Sequence, residues 1–455
     1  MGVNLLAIGL SGIEAAQAEI ATTAANISNA DNPNYAVESV PLSALAGPQG
    51  NSVGVEVGTA QAAQAPFLTA DINQLSGVQA FNTALTQTTQ AAQVYLEPGS
   101  GTDLGQSLQN LFNAFSNLSA SPTDPAARQA VIAAAGQFAS LAQQLSGNLN
   151  QTADTALTQL APLVQQVNSL SQQVATLNAQ ITAAGSNGGS TAALVDQRNA
   201  LVSQLAGLIG ATGDASGNVA VAGVPLVSGT TPLTLSLTGT IGGPTVGVGL
   251  EVSLANGTVP VPSNSLGGTI GGLFTGASDI LATRSAVDNF TASVATAINS
   301  QSALGYGLDG STGNDLFLIP GGNGPIALNP AITVQNLPAA STAAGVPGDG
   351  SNASAIAALA GATGLDSSFP SSTPSQSYAD IASNFGSQIA NAQSGQQQAQ
   401  ASLDSLNTLA GSITGVSVNQ QLTELIQYQQ TLQAAGRAVQ AASDSLSFLL
   451  TQLTY

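Results

Sequence analysis

Carboxylates are nearly the only side chains here with the means to do chemistry. The 455 residues include 23 Asp and Glu, four basic residues and no His or Cys. Two carboxylate arrangements merit a reading. Asp309-Gly310-Ser311-Thr312-Gly313-Asn314-Asp315 sets oxygen ligands in a Gly-rich loop, the raw material of a Ca²⁺ site. It lacks the bidentate Glu and full ligand set of an EF-hand, so a plain turn is expected. Asp279 and Asp288 would suit acid–base work only if they converged. Their spacing puts them on different faces of a helix, and solvated carboxylates are expected.

What is missing excludes more. Without imidazole or thiolate there is no such general base or nucleophile and no ordinary zinc site. Without Lys, a Walker P-loop and Schiff-base chemistry are both gone. No cofactor and no metal is expected, and no enzyme. The net charge is -19, and Arg128, Arg198, Arg284 and Arg437 stand far apart. Four scattered cations cannot neutralise a phosphate backbone, so no nucleic-acid partner is expected. The same charge is repelled by an anionic membrane surface. No apolar run approaches the ~18 residues a spanning helix needs, so no membrane insertion is expected. Leu5 to Leu10 is apolar, but no Lys or Arg precedes it, which makes a poor secretory signal.

The elements follow from periodicity. Residues 4–29 read as an amphipathic helix stopped by Asp31-Asn32-Pro33-Asn34-Tyr35. Residues 36–68 read as extended and 69–97 as helical. From Pro125 to Gly185, Leu160, Leu163, Val167, Leu170, Val174, Leu177 and Ile181 alternate three and four apart, the spacing of a coiled-coil seam. Pro162 marks either a kink or the first turn of a new helix. A further helix is expected near 191–208, then a Val/Thr/Gly/Pro-rich β segment over 211–265. Helical spacing resumes with Leu273, Ile280, Val287 and Val294. Residues 305–324 read as Gly-rich turns and 336–377 as a stretch of low order. The last helices are expected over Tyr378–Thr414 and from Ser417 to the end.

Both ends carry one apolar beat. Leu6, Ile13, Ile20 and Ile27 recur every seven residues, as do Val418, Leu425, Leu432, Val439, Leu446 and Leu453. Such stripes seat a helix against a partner helix, so the two ends are expected to pair and form an assembly seam. Gln17, Gln429, Gly436 and Ser443 interrupt that seam. A pair of this kind leaves other faces partly apolar and gains stability when neighbours cover them.

Particular motifs sharpen the reading. Leu10-Ser11-Gly12-Ile13-Glu14-Ala15-Ala16-Gln17, followed by Asn26-Ile27-Ser28-Asn29 and Asn32-Pro33-Asn34-Tyr35, resembles the shared N-terminal motif of bacterial flagellar rod, hook and hook-associated proteins. That family usually has Gly before the Tyr; Asn34 is the next best residue for a left-handed turn. Gly415-Val416-Ser417-Val418-Asn419 with Leu425-Ile426-Gln427-Tyr428-Gln429-Gln430 resembles the C-terminal helix of the hook-associated proteins of the hook–filament junction. An acidic pair common after that Asn is Gln420-Gln421 here. Segments around Val195–Leu205, Gly268–Leu273, Ala297–Asn299, Gly305-Tyr306 and Pro347–Ala353 agree, while 211–265 is unmatched.

The resemblance implies a motif set of Asn26, Asn29, Pro33, Tyr35, Gln427, Tyr428 and Gln429. It implies a mainly α fold with a small β insertion. The terminal helices (1–45 and 378–455) would pair as an antiparallel coiled coil, over a mainly helical middle domain (46–210 and 266–377) from which an outer β domain (211–265) protrudes. It implies a structural subunit at the distal end of the hook, extracellular and passed through type III export without a cleaved signal. Implied partners are copies of itself, the hook subunit, a neighbouring hook-associated protein and an export chaperone at the C-terminal helix. A hook or distal-rod subunit is the alternative, against which the Gln-Tyr-Gln-Gln element and the helical middle weigh. A secreted adhesin or surface-layer protein would need neither the heptads nor the Asn-Pro-Asn-Tyr turn. Tyr428 and Phe448 suit either partner docking or seam packing. With the two ends antiparallel and flush, Arg437 would fall near Glu19, though a solvated Arg is the expectation.

Overall fold

Helices open and close the chain, and strands fill the gaps between them. The computed structural model of the chain describes residues 2–32, 35–46, 52–97, 103–187, 189–320 and 325–453, with the side chains of residues 2–5, 52 and 453 outside that description. Helix α1 (Gly2–Ser28) leads into two small antiparallel pairs. Strand β1 (Glu38–Ser39) pairs with β4 (Gln61–Ala62), enclosing the hairpin of β2 (Leu42–Ala46) and β3 (Ser52–Val57). Next come α2 (Pro66–Gln93), α3 (Leu104–Ala120), α4 (Pro125–Thr158), α5 (Leu160–Ser186) and α6 (Ala192–Ile209).

Local chemistry sets these boundaries. Asp103 accepts from the Gln106 amide at 3.0 Å and Asp124 from the Ala126 amide at 2.9 Å, capping α3 and α4. Pro66 and Pro125 occupy first-turn positions where no amide donor is needed. Pro162 lies in the first turn of α5, so the Pro125–Gly185 run is two helices meeting at Gln159.

Helix α7 (Gly268–Ser302) and α4 centre the core. Phe115, Phe138, Phe290 and Phe385 are wholly buried around them. Strand β12 (Phe317–Leu318), paired with β13 (Ala327–Leu328), sets the Phe317 ring edge-on to Phe138 at 6.0 Å between centroids. Arg128 is 1% exposed, yet its guanidinium donates to the carbonyls of Pro122 (2.7 Å), Val334 (3.1 Å) and Leu337 (2.7 Å). That is how a buried cation is tolerated: each donor it turns inward finds an oxygen.

The core overturns one expectation. Asp288 is buried, not solvated: it pairs with Arg284 at 3.4 Å and accepts from Ser146 Oγ at 3.2 Å. Arg284, one turn earlier on the same helix, also donates to Ser146 Oγ and Asn150 Oδ1, tying α7 to α4. Burial raises the Asp288 carboxyl, while Ser146 and Arg284 pull it back. Asp279 is half-buried and likewise raised by burial.

Between α6 and α7, β5 (Thr212–Gly213), β6 (Val219–Val221), β7 (Val224–Ser228) and β8 (Thr231–Pro232) form an antiparallel meander. A second meander joins β9 (Thr234–Gly239), β10 (Val248–Leu254) and β11 (Gly257–Val261). Strands β7, β8 and β9 lie along α5, and Val219, Val221, Leu226, Leu235 and Val252 are buried in a core continuous with the helices. Asn168 exchanges two hydrogen bonds with the Leu235 backbone, and Asn178 donates to the Gly217 and Gly229 carbonyls. The insertion leaves and re-enters the helices at Gly210 and Gly267; a Cβ on Gly210 would stand 2.7 Å from the Gly267 Cα.

The stretch expected to have low order contains α8 (Ser351–Ala358). Asp349 organises its start, accepting from the amides and hydroxyls of both Ser341 and Ser351. Those four bonds hold its carboxyl well below the usual carboxylate range. Helix α9 (Pro374–Thr414) begins with a capping box between Thr373 and Gln376, and α10 (Val418–Leu453) follows. Among the described residues no helix is long and apolar enough to cross a membrane.

A candidate assembly interface at the chain termini

The first and last helices lie side by side. Gly9 sits on Val439, Gly12 on Ala435, and Asn26 bonds Gln421, so the contacts descend along α10 as they climb α1. In α1 the inward face is Gly9, Gly12, Ala16, Glu19, Thr23 and Asn26, spaced three and four apart, and small or polar throughout. In α10 it is Gln421, Leu425, Tyr428, Leu432, Ala435, Val439, Ala442 and Leu446. Large side chains on one helix thus meet small ones on the other. Gly9 is required there: a Cβ would fall 2.5 Å from Val439 Cγ2.

The seven-residue stripes can now be placed. Leu6, Ile13, Ile20 and Ile27 are half-buried and flank the tight face rather than forming it. Leu425, Leu432, Val439 and Leu446 are half-buried and belong to it. Val418 is 41% exposed at the start of α10. The Leu453 side chain lies outside the described residues. Periodicity alone missed the Gly9-Gly12-Ala16 face, because apolar weight favours the isoleucines beside it. The small-residue spacing was the available signal.

Asn26 is the hub. It is 1% exposed and makes four hydrogen bonds to three other residues. Its Nδ2 donates to Gln421 Oε1 (2.8 Å) on α10 and to the Glu38 carbonyl (2.9 Å) on β1. Its Oδ1 accepts from the Tyr35 hydroxyl (2.8 Å) and the Glu38 amide (2.9 Å). Only a primary amide has both donors and acceptors for such a junction. Gln421 in turn donates to Glu424, so the neutral Gln421 carries the link where an acid would have brought charge.

The remaining motif residues do less. Asn29 donates to the Ala25 carbonyl at the end of α1. Gln427 and Gln429 face outward on α10. Pro33 lies outside the described residues. Tyr428 is half-buried; burial, then Glu19 and Glu424, raises its phenol. Phe448 is 63% exposed. The two helices are offset rather than flush, which puts Glu19 near Tyr428 and leaves Arg437 exposed. Among the described residues Arg437 makes no ion pair; that of Arg284 and Asp288 is the one formed.

A second cluster ties the terminal segment to the helical body. The Ala36 amide approaches Asp196 Oδ2 on α6 at 3.4 Å, and Val37 donates to the Thr414 carbonyl at 2.8 Å. Burial raises the carboxyls of both Asp196 and Glu38, Glu38 being pushed further by Asp196. Burial, then Glu38 and Asp196, pushes the Tyr35 phenol up to about 12. Two carboxyls and one phenol meet here.

The other candidates are the cation loop and the acidic side chains. Asp309, in the candidate cation loop, accepts from the Ser311 amide and hydroxyl, the geometry of a turn. Among the described residues no group of three or more acidic, His or Cys side chains gathers as a metal site would.

Apolar groups are left uncovered instead. On α1, Ile8 and Leu10 are exposed; on α10, so are Leu422, Ile426, Phe448, Leu449 and Leu450. Exposed apolar side chains gathered on two paired helices make this a candidate interaction surface.

Comparisons with known proteins agree in kind. The profile of the flagellar hook-associated protein FlgK helical domain matches residues 88–317. Flagellar hook-associated protein 1 of Salmonella typhimurium is 32% identical over 341 residues, covering 70% of this chain and 59% of that protein. Its Escherichia coli counterpart is 29% identical over the same length, covering 70% and 60%. The chain therefore spans about three-fifths of the length of these relatives. The solved flagellar hook junction protein FlgK of Burkholderia pseudomallei is similar at 26% identity and a TM-score of 0.47, over 56% of this chain and 46% of that one. With its helical domain matched across half its length, the chain belongs to the FlgK family of flagellar hook-associated proteins.

Proposed function

We propose that this protein is a structural subunit of the bacterial flagellum that polymerises at the distal end of the hook and forms the hook–filament junction. The observation that carries the reading is the terminal pair: α1 and α10 are locked together through Asn26 yet leave Leu422, Ile426, Phe448 and Leu449 open. In this reading the pair is an antiparallel coiled coil that gains its full order when copies of the chain cover those faces. The rest of the chain forms the middle domain, with the β insertion on its outer side. Partners are further copies, the hook subunit, the neighbouring hook-associated protein, and an export chaperone on the C-terminal helix. Export needs no cleaved signal, and no catalytic step is involved. A surface poor in charge loses little when salt changes outside the cell.

Electron microscopy of cells lacking the gene tests this, with flagellin assayed in the medium. Hooks without filaments, and flagellin released outside, are expected. Absent hooks would move the protein to the rod or hook, and normal filaments would remove it from the flagellum. Amide exchange on the monomer gives a second reading: α10 should exchange far faster than α4 and become protected on assembly.

A further inference from the structure

The most exposed large apolar side chain among the described residues is not on the terminal pair. It is Phe67, 80% exposed in the first turn of α2. Farther along α2, a groove of about 420 Å³ opens between that helix and the neck of the β insertion. Gly77, Val78, Phe81, Gly210, Leu266 and Gly267 shape it, and none of its lining residues carries a charge. Val78 stands 41% exposed at its edge. We propose that Phe67 of one copy seats in this groove on the next copy, joining helical bodies head to tail. The inference rests on the assembly role proposed above.

Three observations select a second copy as the occupant. Phe67 and Val78 are eleven residues apart, about three turns, so they lie on nearly the same face of one rigid helix. The separation is about 16 Å along the axis, so a chain cannot fill its own groove. A displaced copy can, and in doing so it offers its own groove to a third. Such a heterologous contact repeats, closing into a ring or continuing as a helix.

Charge supplies the third. Copies carrying a net -19 each repel, and among the described residues no arginine of the helical bodies stands fully exposed to offset this. Arg128 is buried on carbonyls, Arg284 is paired with Asp288, and Arg198 is half-buried beside Asp214. Contacts between bodies must then form where charge is absent, as in this groove.

The test uses the chain's lack of cysteine. A Phe67→Cys and Val78→Cys double variant replaces the native chain in cells, and sheared appendages are oxidised and run without reductant. Thiols at the proposed contact come within disulfide reach of each other only between copies. A ladder of linked multimers is expected from the double variant, and a monomer band from either single variant. Appendages that contain the double variant as monomer alone would overturn the contact and leave the assembly role standing. Dimers from one single variant would show a two-fold contact instead, and links to a different protein would show another occupant; each overturns the proposal. Absence of the native chain from appendages would remove the assembly role and the contact with it. Cys is apolar enough to stay in the groove, whereas a Phe67→Asp variant should keep the native circular dichroism yet lose incorporation, because its charge cannot enter the uncharged groove; undiminished incorporation would count against the contact.

Discussion

The helical body and the terminal pair are both built from long helices, yet they are packed by different rules. In the body, Phe115, Phe138, Phe290 and Phe385 are wholly buried, and polar groups such as Arg128 and Asn352 are bonded inward. In the terminal pair, the tightest contacts are Gly9 on Val439 and Gly12 on Ala435, while leucines and isoleucines stay half in solvent. The aromatic core of the body is closed within one chain. In the terminal pair a polar hub at Asn26 fixes which residues face each other, while apolar side chains of both helices stay open.

Substitutions should expose that contrast. Phe290→Ala should cost about 3–5 kcal/mol and lower the urea midpoint of the whole body, because a cavity opens where nothing can collapse. Leu432→Ala, at a half-buried site, should cost well under that; equal losses would erase the distinction drawn here. Asn26→Leu should cost about 2–4 kcal/mol, since it removes the buried bonds to Tyr35, Glu38 and Gln421. Its effect should appear as faster amide exchange at Glu38 and α10, with the body's urea midpoint unchanged.

Two glycines of the pair make a finer comparison. Gly9→Ala gains helix propensity of about 1 kcal/mol but forces Val439 to move, at about 1–3 kcal/mol, so a net loss is expected. At Gly436 a Cβ meets nothing within 4 Å, so Gly436→Ala should stabilise α10 by up to about 1 kcal/mol. Helix content by circular dichroism during thermal melting separates the two signs.

The smallest effect concerns pH. Asp196 and Glu38 are raised above their ordinary 3.8 and 4.5, which means that folding favours their neutral forms. Their contribution is fully present below those ordinary values and lost as pH rises through the raised ones. The junction between the terminal segment and α6 should therefore tighten on acidification from neutral pH toward about 4. Asp196→Asn with Glu38→Gln should flatten that response in thermal melts at the two pH values; an unchanged slope would show that these carboxyls do not govern the junction.

Much of this was legible from residue spacing. The terminal helices, the stop after α1, and the β segment over 211–265 all follow from periodicity and turn chemistry. The partner of a buried stripe does not. Leu160, Val167, Leu170 and Val174 are spaced like a coiled-coil seam, yet strands β7 to β9 and α6 cover α5. Spacing reports which face of a helix is dry, whereas the covering element depends on contacts remote in sequence. Asp288 was misread for the same reason: its neutralising Arg284 was in view, but its burial against α4 was not. Asn26 was legible only through its motif, since nothing local to a buried Asn announces bonds to Tyr35, Glu38 and a residue 395 positions away.

The neck at Gly210 and Gly267 carries a practical consequence. Because the two strands of chain touch where they cross, the intervening module could be exchanged without stretching the helices on either side. Closing so short a gap adds little loop entropy. The guest must nonetheless bring a dry surface of its own, or the flank of α5 now roofed by valines is laid bare to water. A polar linker grafted at this site is thus expected to yield a folded but adhesive particle, and a compact β module a well-behaved display scaffold.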